Sequence, residues 1–180
     1  MPNWCSNRVT FSHDNESELN RLIKAYNQDR LFSEFFPMPA ELRDVSAPND
    51  TNADEMIDKY GAADWYSWAV DNWGTKWEVQ SVDDLEHESG QTEVTVYFDS
   101  AWGPPTRFFE KMEEQGWTVT AMYYEPGMAF CGRYEDGWET TYDIVGDSAW
   151  VKENIPADVN EAFDIAGSME IWEEDERNNS

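Results

Sequence analysis

Thirty-eight Asp and Glu against 12 Lys and Arg give this chain of 180 residues a formal net charge of −26. A single-sign excess of that size repels itself and works against compaction, so any fold must rest on a strong apolar interior. The chain supplies one, being 40% hydrophobic and 15% aromatic, with 10 Trp, 8 Tyr and 9 Phe. Large rings bury much surface each and offset the repulsion. A disordered acidic chain would be poor in aromatics. The length suits one well-filled domain, or one domain carrying an insertion. The reading is a folded, very soluble protein.

The same charge excludes partners. Nucleic acid and anionic membranes repel such a surface, so neither is a direct partner. What normally holds nucleic acid attracts it, which makes a decoy a better hypothesis than a reader. Salt adaptation ranks second, because the density of large aromatics counts against it. An ordinary solvated surface would mix both signs. Cys5 and Cys131 are too few for a disulfide framework, although one long-range bridge stays open. No stretch approaches the roughly 18 apolar residues of a membrane span. The opening residues Met1 to Asn7 lack the basic and apolar regions of a signal peptide, so the expected location is the cytoplasm.

Alternation of Val9 and Phe11 marks a first strand. Asn15, with Glu18 three residues on, opens a helix whose stripe is Leu19, Leu22, Ile23 and Tyr26. A long connection with Phe35-Phe36-Pro37-Met38-Pro39 follows, and residues 44–51 read as a loop. Two short helices, near residues 53–60 and 64–72, end at Gly61 and Gly74. Residues 77–82 and 92–98 read as strands, the second with Val94, Val96 and Phe98 on one side. Pro105 opens a helix that faces Phe108, Phe109 and Met112 inward and stops at Gly116. Residues 117–124 form a strand, and 129–134 with 138–144 a hairpin around Asp136-Gly137, a type I′ turn signal. Pro156 starts a last helix with the stripe Val159, Ala162, Phe163 and Ala166, closed by Gly167. The order predicts an α+β fold with a ferredoxin-like split βαβ core, an antiparallel sheet with helices on one face. Residues 1–150 make that domain, with a helical insertion at about 30–76, an added hairpin, and an acidic C-terminal helix and tail over 151–180.

Four segments carry a resemblance: Asn3-Trp4-Cys5-Ser6-Asn7, Phe36-Pro37-Met38-Pro39, Asn72-Trp73-Gly74-Thr75-Lys76-Trp77 and Ser100-Ala101-Trp102-Gly103-Pro104-Pro105. Together they resemble the YubB-type ferredoxin-like family of bacteriophage and plasmid proteins. Tyr124-Glu125-Pro126-Gly127 and Phe130-Cys131-Gly132-Arg133-Tyr134 look like that family's C-terminal hairpin. The resemblance covers most of residues 3–134. It implies the fold and a mobile-element origin, and brings no activity, cofactor or site residue with it. The acidic segment after about residue 150 lies outside it.

Residues 65–77 are the densest aromatic cluster. With Trp102, the set Trp65, Trp68, Trp73, Lys76 and Trp77 is a candidate stacking platform for bases or sugars. The competing reading is a helix-to-strand corner whose rings plug the sheet. It is favoured, because Lys76 alone does not hold phosphates among carboxylates. The Gly103-Pro104-Pro105 turn reads as a rigid connection rather than a phosphate cradle. His13 and His87 have no metal-ligand spacing, and no calcium loop is present, so no metal or cofactor is expected. Nothing places either Cys beside a His as a nucleophile. With 38 acids, chance carboxylate pairs have no diagnostic value. The expectation is a protein that is not an enzyme.

The charge pattern survives this sifting. Twenty-six charges match about 44 Å of duplex, or about 13 base pairs. Spread evenly over a fold of this size, however, they fall roughly threefold short of the charge density of DNA. Mimicry therefore requires concentration on one face. Glu110, Glu113 and Glu114 on one helix, and Asp158, Glu161 and Asp164 on another, are the candidates, continued by Glu170, Glu173, Glu174, Asp175 and Glu176. The alternative is a diffuse acidic coat that aids solubility. The expected function is a phage or mobile-element accessory protein, monomer or homodimer. Its acidic face blocks the basic groove of a host restriction, CRISPR-type or recombination protein. A small-ligand or nucleic-acid module at the Trp-rich sheet edge is the alternative.

Overall fold

A computed structural model describes residues 3–179. The chain begins with β1 (Trp4–Ser12) and α1 (Glu16–Tyr26). Four short helices follow: α2 (Leu31–Phe35), α3 (Ala40–Arg43), α4 (Ala53–Tyr60) and α5 (Trp65–Trp73). Next come β2 (Gln80–Ser81), β3 (Glu93–Ala101), α6 (Thr106–Glu114), β4 (Thr118–Glu125), β5 (Phe130–Glu135) and β6 (Trp138–Asp143). The chain closes with α7 (Ser148–Asn154), α8 (Ala157–Phe163) and α9 (Ile165–Asn179). All six strands join one sheet in the order β2-β3-β1-β4-β5-β6, with every neighbouring pair antiparallel. The fold is α+β.

Register follows the apolar alternation. Val9 lies between Val96 and Ala121, and Phe11 between Val94 and Val119, which puts one apolar face together from three strands. Against it pack Leu19 and Leu22 of α1, Phe108, Phe109 and Met112 of α6, and Phe32, Leu42, Trp68 and Trp73 of the inserted helices. Ile23 is half-buried against the same core. Asn15 does cap α1, its side chain accepting the Ser17 N–H. Gly61 and Gly74 end α4 and α5 in the left-handed conformation. At Gly74 a Cβ would stand 3.1 Å from the backbone nitrogens of Thr106 and Arg107. Glycine is needed there both for the turn and for the close approach to α6.

A second core lies on the other face of the sheet. Ala121 belongs to the first cluster, while Met122 and Tyr124 pack with Cys131, Val151, Ile155, Val159, Ile165 and Ala166. Successive strand residues point to opposite faces, so α7, α8 and α9 cover the face that α1 and α6 leave open. This corrects the expectation of helices on one face only. The hairpin β5–β6 widens the sheet, and the apolar stripe Met122, Tyr124, Cys131 and Tyr142 needs its own cover.

Three other expectations change. The strand over 77–82 shrinks to Gln80–Ser81 at the sheet edge, where the outward Ser81 N–H donates to Asp29 Oδ1 at 2.9 Å. The last helix breaks at Asp164, whose φ of 46° is left-handed, and Gly167 lies inside α9 rather than ending it. The helix α7, containing residue 150, was not anticipated, and the run Glu173 to Glu176 is helical. The hairpin turn is as expected, with Asp136 at φ 52° and Gly137 at 75°. Among the described residues, no helix is long and apolar enough to cross a membrane.

Candidate interaction surfaces

The acids expected to form one face are divided by the sheet. Glu110, Glu113 and Glu114 ride on α6, above the first core. Glu110 pairs with Arg107 at 2.8 Å, and Glu113 accepts the Tyr134 hydroxyl at 2.7 Å. Burial pushes that hydroxyl's pKa up, and Glu113 pushes it further. Asp158, Glu161 and Asp164 belong to the α7–α9 layer on the opposite face. There Asp158 pairs with Arg133 at 2.6 Å, and Glu170 pairs with Lys152. Glu173 accepts the Ser148 N–H at 2.8 Å and its hydroxyl at 2.9 Å, so it fastens α9 to the start of α7. Glu161 and Glu174 are exposed, as are Asp175 and Glu176. Between the two layers runs the exposed edge strand β6 with Glu139 and Asp143. These two acids were missed, although the turn signal at Asp136-Gly137 marked the hairpin that presents them.

Two layers and an edge therefore carry the charge. Asp175 and Glu176 aside, eight ion pairs among the described residues engage seven of the acids, and 12 Lys and Arg stand against 38 Asp and Glu in the chain. Most of the negative surface has no internal cation to neutralise it.

The aromatic set separates into core and surface. Trp68 and Trp73 are buried, their rings perpendicular at 5.4 Å, and the Trp73 indole donates to the Phe36 carbonyl at 3.0 Å. These two rings plug the first core and are closed to any ligand, which corrects their candidacy. Trp65 is half-buried against that core. Trp77 and Trp102 are open, at 41% and 46% exposure, and Trp4, which sequence reasoning missed, joins them at 45%. Lys76 lies between two of them, its Nζ 3.8 Å from the Trp77 ring centre and 4.2 Å from that of Trp102. The backbone explains this cluster. Thr75 Oγ1 bonds both the N–H and the carbonyl of Ala101 at 3.2 Å, pinning residues 75–77 beside the end of β3. Trp102 then adopts a φ of 69°, rare for a large side chain, which its N–H bond to the Asn3 carbonyl at 2.9 Å helps hold.

Three hollows flank these surfaces. Trp4, Trp77, Glu78, Gln80, Val82 and Asp99 line a cleft of about 410 Å³. Lys76 and Tyr66 border another of about 480 Å³, with Pro48 and Trp65. A smaller groove of about 270 Å³ follows the margin of the α7–α9 layer, between Arg8 and Thr10 on β1 and Asp158 on α8. Arg8 is tied there to the Tyr97 hydroxyl at 3.1 Å and to Glu86 at 3.7 Å.

Both cysteines are buried. Burial pushes the Cys131 thiol up to about 11, and pushes Cys5 higher still, where Glu125 and Asp99 add to the effect. Neither is a ready nucleophile at neutral pH. His13 leans on Trp117, with ring centres 4.8 Å apart and planes tilted by 53°, and accepts the Asn15 N–H at 2.9 Å, and His87 bonds the Glu93 carbonyl. Among the described residues, no group of three or more His, Cys, Asp or Glu is placed to hold a metal ion.

No family model matches the chain. No curated protein matches it. Among solved structures, the crystal structure of a protein api92 from Yersinia pseudotuberculosis, assigned to the family DUF1281, is similar. The TM-score is 0.41 and the identity 12%, over 81% of this chain and 99% of that one.

Proposed function

We propose that this chain is a non-enzymatic accessory protein of a phage or other mobile element. In this reading its acidic surface occupies the nucleic-acid groove of a basic host defence or DNA-processing protein in the host cytoplasm. The observation that carries the reading is the scarcity of internal neutralisation, since 12 Lys and Arg stand against 38 Asp and Glu and, Asp175 and Glu176 aside, ion pairs among the described residues hold seven of the acids. Such a surface steers a basic partner to rapid association and keeps nucleic acid away. The α7–α9 layer is the preferred contact face, because Glu161 and Glu174 stand exposed on it.

The finer fold assignment is a ferredoxin-like split βαβ core. Its support is the strand order β2-β3-β1-β4, with α1 between β1 and β2 and α6 between β3 and β4. The resemblance to the YubB-type family has a physical counterpart. Its motif residues bond one another, Asn7 Nδ2 to Ser100 Oγ at 2.8 Å and Thr75 to Ala101, while Gly74 abuts Thr106 next to Pro105. The motif residues that bond one another thus support architecture, while Trp4 and Trp77 of the same motifs stay exposed.

The test uses reversals that spare the internal ion pairs. Asp158 and Glu170 are poor choices, since a lysine at either would face Arg133 or Lys152. Glu153→Lys, Glu161→Lys and Glu174→Lys together should weaken capture of a basic-groove host protein by about tenfold or more at physiological salt. The deficit should shrink as salt rises. Unchanged capture and salt slope, with a less soluble protein, would reduce the acids to a solubility coat. The second reading, a ligand module at the Trp-rich edge, is favoured by one observation, the exposure of Trp4, Trp77 and Trp102 around Lys76.

A further inference from the structure

The cleft beside β2 has walls and a floor of unusual chemistry for this chain. Trp4 and Trp77 stand 6.0 Å apart with their planes tilted by 38°, forming an open V. Three residues, Glu78, Gln80 and Asp99, supply its polar side chains, and among the described residues no cation lines it. The Glu78 oxygens are already used, accepting the N–H groups of Phe32 and Ser33 at 2.7 Å each. Asp99 is different. Its Oδ1 accepts the Ser6 hydroxyl at 2.8 Å, its Oδ2 has no hydrogen-bond donor, and it joins no ion pair among the described residues.

We propose that the Trp4–Trp77 cleft receives an arginine side chain of the basic partner, its guanidinium stacked on the indoles and paired with Asp99. This rests on the reading of the partner as a basic protein and names the contact that would give it specificity. A nucleic-acid base is disfavoured there, because its phosphates would meet Asp99, Glu78 and the surrounding negative field. A neutral apolar ligand would cover Asp99 without pairing it, at a desolvation cost. A cation meets both the ring faces and the carboxylate. The protein uses this chemistry itself, since Lys76 already stacks on Trp77 and Trp102. Between the two cationic side chains, guanidinium is planar and weakly hydrated, so it stacks in a half-open cleft where an ammonium would keep its water.

The test follows the indole N–H resonances of the full-length, nitrogen-labelled protein. N-acetyl-L-arginine amide should shift Trp4 and Trp77 in a saturable way and leave the buried Trp68 and Trp73 unmoved. N-acetyl-L-lysine amide should shift them several-fold less. Trp77→Ala and Asp99→Asn should each weaken binding of a deca-arginine peptide about tenfold, with the circular dichroism spectrum retained. No shift with the arginine amide, equal shifts with the lysine amide, or full deca-arginine affinity in both variants would overturn the assignment. The acidic-surface reading fails separately. It falls if Glu153→Lys, Glu161→Lys and Glu174→Lys together leave deca-arginine affinity and its salt slope unchanged while the arginine amide still moves both rings, a result that would leave the cleft standing.

Discussion

Tyr123 is fully buried, yet its hydroxyl reaches Glu139 at 2.9 Å and Thr141 at 2.7 Å on β6, across the intervening strand. It can do so because its partner on β5 is Gly132. A Cβ at that position would collide with the Thr140 carbonyl, which belongs to the β6 backbone, and with the Tyr123 hydroxyl, which cannot move without losing its bonds to Glu139 and Thr141. Gly132→Ala should therefore cost about 1–3 kcal/mol in urea denaturation, with the Tyr123 bonds as the first casualty. Phe109 presents the opposite case, a large side chain with no space around it. It is fully buried and meets Phe11 at 6.4 Å and Tyr134 at 5.3 Å between ring centres. Phe109→Ala should lower stability by about 3–5 kcal/mol, and an unchanged midpoint would contradict the packing of α6.

Helices α7 and α9 depend on each other more than on their own sequences. The α7 stripe is short, and the clasp of Glu173 on Ser148 supplies what its propensity lacks. Glu173→Ala leaves a buried N–H and hydroxyl without an acceptor and should cost about 1–3 kcal/mol, read as a lowered melting midpoint. Glu174→Ala should leave the midpoint unchanged, since that side chain is exposed. This contrast also explains what was legible in the sequence. The strands β1, β3 and β4, the helices α1 and α6 and the hairpin were readable, because each buries a full periodic face against the same core. Helix α7 was not, because a contact with residue 173 helps hold it. The edge strand β2 likewise leans on Asp29, far away in sequence. Among the tryptophans, composition could not separate Trp68 and Trp73 from Trp77 and Trp102. Burial is decided by which side of α5 and of the Thr75 anchor each ring falls on. Nor could spacing pair Trp4 with Trp77, because only the sheet brings them together. The two acidic helix stripes were legible as stripes, but their placement on opposite faces followed from a second core that the pattern alone did not reveal.

Charge makes the stability of the whole molecule depend on pH in a definite direction. Burial holds the Glu78 carboxyl above its ordinary 4.5, opposed in part by the Phe32 and Ser33 N–H groups. The folded chain thus binds that proton more tightly than the unfolded chain, and stability is lost as pH rises from 4.5 through the raised value. Mutual repulsion among the surface acids acts in the same sense. Glu34 works the other way, since its hydrogen bond from Arg21 holds it below 4.5. Its contribution is present above 4.5 and disappears as pH falls through the lowered value. The melting temperature should accordingly rise from pH 8 to about 5 and fall below about 4, and calorimetry showing a maximum above pH 7 would refute this balance. The sheet also separates two thiols, Cys5 on the face that carries Val9 and Phe11 and Cys131 on the face under α7–α9. Each is silent while covered, which makes the pair a built-in clock for two distinct openings. With an aromatic disulfide reagent, Cys131 should be labelled before Cys5, and Glu173→Ala should hasten Cys131 alone. Equal rates for both thiols in both proteins would mean that the two layers come apart as one.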